Sequence, residues 1–235
     1  ADATGIDNTY GLSKGTWEKS GNSWRFISNG AAKTGWFQVG GRWYWAGSDG
    51  RTIRGWATLN GRLYLFDEST AMVTGWKQEK GTWYYLRPAG DMATGWERVG
   101  GTWYYLDSSG AMATGWLTYR DNWYWLGDAG YLFEDDARML TGWQLTEDDK
   151  QWYYMHPSGV MATGWLKDRD SWYYLDSDGA MKTGWLSVGG TWYYMQPSGA
   201  MSTGWLQQGS TWYWLDQSSG AMATGTVVVQ GRASR

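Results

Sequence analysis

The stretch from Thr74 to Ala93, TGWKQEKGTWYYLRPAGDMA, decides the fold, because the chain keeps restating it. TGWERVGGTWYYLDSSGAMA follows at once from Thr94, and TGWLSVGGTWYYMQPSGAMS begins at Thr183. Each copy has Gly-Trp, six residues, a second Trp, two more aromatics, a small polar turn ending in Gly, and usually Met. The Gly-Trp tryptophans are Trp36, Trp56, Trp76, Trp96, Trp116, Trp143, Trp165, Trp185 and Trp205, spaced 20, 20, 20, 20, 27, 22, 20 and 20 residues apart. A worn copy at Trp17 and Trp24 precedes them, and Gly225-Thr226 with Val227, Val228 and Val229 follows. Repeat arrays have atypical terminal units that cap them.

The spacing therefore predicts one repeat array over residues 1–235. It would comprise a degenerate first repeat or cap (1–35), a first block (36–126), an insertion (127–141), a second block (142–224) and a C-terminal cap (225–235). Composition agrees. The chain holds 22 Trp, 17 Tyr and 35 Gly against 4 Phe, which suits repetition better than an ordinary aliphatic core. With no Cys, disulfides and thiolate chemistry are excluded. A net charge of −3 with no basic stripe argues against nucleic acid. No window is apolar enough for a transmembrane helix. No signal peptide is visible over residues 1–12, so an exported form is expected to be a mature product or an excised piece.

Each unit reads as a β-hairpin. Aromatic-rich strands flank turn residues such as Val99-Gly100-Gly101 and Asp168-Arg169-Asp170-Ser171. The two Trp of a unit lie seven apart, or nine for Trp143 and Trp152, so they are expected to face each other across loops of two or four residues, on one face. A single hairpin buries too little to fold alone, so stacking is required. The predicted fold is all-β, an elongated solenoid or superhelix of about ten stacked hairpins. The Gly before each Trp and the turn Gly are read as sites of positive φ or close chain approach.

Alternation along the second strand puts the middle Tyr on the face opposite its own Trp pair, towards the preceding pair. Two Trp and the next unit's Tyr then make a three-walled aromatic box, with Met as a soft floor. Such boxes suit quaternary ammonium groups, since ring faces are electron-rich and these cations make no strong hydrogen bonds. Boxes are expected from Trp36, Trp43 and Tyr64; Trp76, Trp83 and Tyr104; Trp96, Trp103 and Tyr124; and Trp116, Trp123 and Tyr153. Further along come Trp143, Trp152 and Tyr173; Trp165, Trp172 and Tyr193; and Trp185, Trp192 and Tyr213. Met92, Met112, Met181 and Met201 are the expected floors. The alternative is that every ring is simply core. Leu63 breaks the paired-Trp rule, so its unit is expected to lack a box, and Trp205 and Trp212 have no following Tyr. Ala32 and Ile53 stand at the Met position and Thr70 at a turn Gly, which marks the first units as the weakest.

The run TGWLKDRDSWYYLDSDGAMKTGW from Thr163 to Trp185 resembles the choline-binding repeats of Gram-positive surface proteins and phage lysins. The resemblance implies a superhelix of hairpins holding choline between successive repeats, with phosphocholine on cell-wall teichoic or lipoteichoic acid as the natural partner. It further implies a secreted module bound to the bacterial surface, and leaves room for a homodimer through terminal hairpins. Related repeats bind glucans or receptor glycans, which makes carbohydrate the alternative ligand; a structural spacer is a third reading.

Enzymatic chemistry finds no support in the sequence. His156 is the one histidine, at a variable turn position, and Asp107, Asp176 and Asp216 recur as turn residues better suited to capping backbone than to hydrolysis. Glu134, Asp135 and Asp136, with Glu147, Asp148 and Asp149, lack the ligand alternation of a calcium loop and read as solvated charge. Neither cofactor nor metal is expected.

Overall fold

The computed structural model describes residues 4–5, 15–127 and 137–225. The acidic cluster of the insertion, most of the residues ahead of Gly15, and the tail from Thr226 lie outside the described residues. Within them the protein is all-β, a succession of stacked hairpins with no helix. The first sheet joins Thr4–Gly5, Gly15–Ser20, Ser23–Ser28 and Ala31–Ala32, and nine two-stranded sheets follow. The chain divides into two compact units, Ala1–Ala113 and Thr114–Arg235, a division that falls ahead of the expected insertion.

In the hairpin of Gly75–Glu79 and Thr82–Leu86, Glu79 pairs with Thr82 around the two-residue turn Lys80-Gly81. Both turn residues have positive φ, 49° and 83°, which matches the right-handed twist of the flanking strands. The register corrects the sequence reading by two residues. Trp76 sits opposite Tyr85, and Trp83 opposite Gln78. The two Trp thus share a face diagonally, and the third aromatic is the direct partner. The same offset sets Trp165 opposite Tyr174 and Trp185 opposite Tyr194. The longer loop after Gly142–Leu145 keeps it, with Trp143 opposite Tyr154.

The core is not built from the tryptophans. It is a series of side chains one position beyond the third aromatic. Leu86 and Leu106 in the first unit, and Leu126, Met155, Leu175, Met195 and Leu215 in the second, have no exposed surface. The second Trp of most pairs is exposed instead, from 38% at Trp172 to 57% at Trp212, while Trp24 and Trp83 are half-buried. Rings left this open do not earn their place by burial alone.

Each hairpin is stitched to the one before it by the Met segment. Met92 bridges Leu86 of its own hairpin and donates its backbone N–H to Leu63 O of the preceding one at 2.7 Å. The N–H groups of Met72, Met112, Met161, Met181, Met201 and Met222 reach Trp43, Trp83, Trp123, Trp152, Trp172 and Trp192 O in the same way, at 2.7–2.9 Å. Thr52 takes this role towards Trp24 at 2.8 Å, so Thr52 and not Ile53 stands at the Met position. The two glycine classes then separate. Gly75 needs only its φ of 81°, as a Cβ there would meet nothing, whereas a Cβ on Gly199 (φ 83°) would lie 2.2 Å from Met181 Sδ.

Candidate functional site: aromatic cages between hairpins

Three cavities repeat one arrangement. Trp165, Trp172, Tyr193 and Met201 line the first, of about 290 Å³, with Ser218 and Ser219 at its edge. Trp116, Trp123, Tyr153 and Met161 line the second, of about 270 Å³, with Ser177 and Asp178. Trp36, Trp43, Tyr64 and Met72 line the third, of about 360 Å³, with Pro88 and Ala89. A cage therefore draws on three consecutive repeats: two Trp from the first, Tyr and Met from the second, and turn residues from the third.

The walls stand nearly at right angles. In the first cage Trp165 meets Trp172 at 6.4 Å and 87°, and Tyr193 at 4.7 Å and 71°. Trp116 meets Trp123 at 6.2 Å and 84°, and Tyr153 at 5.1 Å and 68°. Trp36 meets Trp43 at 6.5 Å and 80°, and Tyr64 at 5.0 Å and 63°. Trp185 repeats this with Trp192 at 6.5 Å and Tyr213 at 4.8 Å. Trp76 meets Tyr104 at 4.8 Å, and Trp143 meets Tyr173 at 4.7 Å. The middle Tyr is the third wall in each cavity, because strand alternation turns it towards the preceding pair. The third aromatic, Tyr174 or Trp125, packs behind the first Trp at 5.2–5.3 Å and fixes its orientation.

Several departures from the sequence reading stand out. The Trp36 box, expected to be weak, has all its walls, because its Met comes from the next unit as Met72. Met72 and Met161 are floor residues the sequence reading did not select; the signal was the regular Met spacing counted one unit further on. Met92, from the Trp76 hairpin, reaches back to the Trp56 hairpin, where Leu63 removes a wall, although Trp56 still meets Tyr84 at 5.3 Å. Tyr153 and Tyr173 keep their places despite the insertion and the longer loop. The trio Trp96, Trp103 and Tyr124 takes residues from both compact units and stays an expectation. Trp17 lies in a packed cluster with Phe26, Phe37 and Tyr44, so the first unit has a filled core where later units have a cage.

Carboxylates support the rings. Asp149 was read as solvated charge, but it accepts hydrogen bonds from Thr146 Oγ1, from Gln151 N at 3.1 Å and from Tyr153 Oη at 2.9 Å. Burial, that hydrogen bond and the charges of Asp149, Asp176 and Asp178 push the Tyr153 phenol up to about 12. Trp143 Nε1 donates to Asp168 Oδ2 at 3.0 Å, and Trp56 Nε1 to Glu79 Oε2 at 2.8 Å. Asp107, Asp176 and Asp216 spend Oδ1 on the turns. Asp216, for instance, accepts from both N–H and both Oγ–H of Ser218 and Ser219. These bonds, led by the Ser218 hydroxyl, hold its carboxyl well below the ordinary 3.8. His156 sits half-buried with its ring edge-on to Tyr154 at 5.7 Å. Among the described residues no cluster of His, Cys, Asp and Glu could hold a metal.

The family model for the choline-binding repeat matches residues 53–94, 93–130, 147–184 and 182–226, and one for a cell wall binding repeat matches residues 34–51. The chain belongs to the choline-binding repeat family. Among solved structures it is similar to CbpJ of Streptococcus pneumoniae TIGR4, with 30% identity over 92% of this chain and 90% of that one, at a TM-score of 0.66. Choline binding protein F of Streptococcus pneumoniae matches with 28% identity over 94% and 96%, at 0.67. The choline-binding domain of CbpL from the same organism shares 30% identity over 73% and 87%, at 0.53. No curated protein matches the chain. These repeats form a family of binding modules found at the surface of Gram-positive cells. Among the described residues no helix is long and apolar enough to cross a membrane.

Proposed function

We propose that this chain is a non-catalytic cell-wall-binding module that captures choline in the cages between successive hairpins. The natural ligand is the phosphocholine of teichoic or lipoteichoic acid, and the module anchors a secreted surface protein or lytic enzyme to the bacterial wall. The carrying observation is the cage itself: three electron-rich faces near right angles, a Met floor, and an outer Trp left open to solvent. A trimethylammonium group presents its charge over a whole sphere of methyl groups, so it gains from all three faces at once.

Each ring contributes about 0.5–2 kcal/mol, and association offsets most of the sum, so a single cage holds choline at about millimolar affinity. A polymer carrying many choline groups engages many cages, and effective concentration turns weak sites into firm retention. Trp205 and Trp212, each 57% exposed, form a half-cage at which a second copy would pair in a homodimer. The test is a choline titration read by Trp fluorescence and thermal melting, with glucose oligomers in parallel. Saturation near millimolar choline with a rising melting temperature supports the reading. A response to sugar alone replaces it with a glycan-binding role, and no response to either refutes both.

A further inference from the structure

The Trp36, Trp116 and Trp165 cages are closed by different turns, and the turns differ in charge. Pro88 and Ala89 close the Trp36 cage, and the residue before them, Arg87, is ion-paired with Asp91 and Glu97, each at 2.9 Å. Ser218 and Ser219 close the Trp165 cage, with hydroxyls turned to Asp216 Oδ1 at 2.7 and 2.8 Å. Ser177 and Asp178 close the Trp116 cage. Asp178 donates its backbone N–H to Asp176 Oδ1 at 3.0 Å, but its own carboxylate has neither a hydrogen bond nor an ion pair among the described residues. Asp176 is balanced by Lys182 at 3.4 Å, and Asp149 is engaged with Tyr153. Asp216, behind the serines of the Trp165 cage, has no ion pair among the described residues either, but its Oδ1 is held by their hydroxyls. Asp178 is exposed, carries no such bond and is the one acidic residue lining any of the three cavities.

We propose that Asp178 is a specificity-determining residue, which makes the Trp116–Trp123–Tyr153 cage prefer trimethylammonium ligands without a neighbouring anion over phosphocholine. The proposal rests on the reading that the cages hold quaternary ammonium groups. With the methyl groups among the rings, the rest of the ligand leaves past the turn. A free choline hydroxyl can donate to the Asp178 carboxylate there, whereas a phosphate has no proton to offer at neutral pH and is repelled. Two unit charges about 7 Å apart in water repel enough to weaken binding roughly threefold, and salt reduces this further. The Trp165 and Trp36 cages have no acidic residue among their linings, and Asp216 behind the former is engaged by the turn, so cages of one chain would sort free choline from phosphocholine.

The test follows the indole N–H resonances of Trp116, Trp165 and Trp36 in the full chain, assigned by single substitution, during titration with choline and with phosphocholine. The expected result is a ratio of phosphocholine to choline dissociation constants about threefold higher at Trp116 than at Trp165. The excess should shrink in high salt and vanish in Asp178→Ser, with the melting temperature unchanged. Ala89→Asp, at the corresponding turn position, should transfer the preference to the Trp36 cage. Equal ratios at all three cages, or an excess that survives Asp178→Ser while choline still binds, overturn the proposal alone. Failure of either ligand to shift any indole resonance overturns the choline reading with it.

Discussion

Replacing Trp172 with alanine tests whether the exposed rings are walls or core. Trp172 is 38% exposed, and its contribution to hairpin stitching is a backbone carbonyl, which the substitution keeps. Loss of stability without ligand should therefore fall short of the roughly 3–5 kcal/mol of a fully buried ring, at about 1–2 kcal/mol. Choline binding at that cage should fall by one ring's worth, about 0.5–2 kcal/mol, or roughly 2- to 30-fold. Leu175→Ala is the contrast, three residues along the same strand and fully buried. It should cost about 2–5 kcal/mol in stability, with little change in the choline affinity of molecules that remain folded. Denaturant melts give the first quantity, and the Trp165 indole resonance under choline titration gives the second. If Trp172→Ala destabilises the chain as much as Leu175→Ala and leaves the choline response of Trp165 unaltered, the rings are core and the cage argument fails.

Thr70→Gly should stabilise the chain by about 1 kcal/mol, since Thr70 is held at a φ of 64° with a buried hydroxyl that has no hydrogen-bond partner. By the repeat spacing Thr52 faces it where other units have Met, so adding Thr52→Met to Thr70→Gly should give more than the sum of the single changes in a thermal melt. Gly199→Ala should lower the melting temperature through both the positive φ and the approach to Met181, whereas Gly75→Ala should show the φ cost alone. In a spectrophotometric titration one tyrosine should keep its proton to about pH 12. Because the folded phenol of Tyr153 lies above its ordinary 10.0, its contribution to stability is full below pH 10 and is lost as pH rises through 12. At the acid end the sign reverses. The depressed Asp216 and Asp107 carboxyls contribute stability above their ordinary 3.8 that is lost as they take up protons below it.

The hairpins, their two-residue turns and the outward face of the middle Tyr were legible because period-two alternation and Gly placement are local signals. Register was not. Seven-residue Trp spacing is compatible with direct and diagonal pairing alike, and the choice was made by Gly at the second turn position, which sets Lys80-Gly81 as the turn and Trp76 opposite Tyr85. The core was missed for a related reason. A single Leu or Met after each Trp-Tyr-Tyr looks too sparse to be one, until stacking places it under the neighbouring unit. The Met floor was read from the right residue type, Met201 among them, but Met72 and Met161 were passed over, since the sequence does not say which neighbour a linking segment reaches. Thr52 filled the Met position unnoticed because it makes the same backbone hydrogen bond with a different side chain.

Every complete cage borrows from three successive repeats, and this has a genetic consequence. Copying any in-frame twenty-residue segment inside a uniform stretch supplies one more Trp pair, one more Tyr, one more Met and one more turn, each already in register with its neighbours. The array can therefore lengthen or shorten by recombination and gain or lose one ligand site per event, with no compensating change elsewhere. Deleting the last repeat removes more than its own residues, because it also takes the closing turn from the cage two repeats upstream.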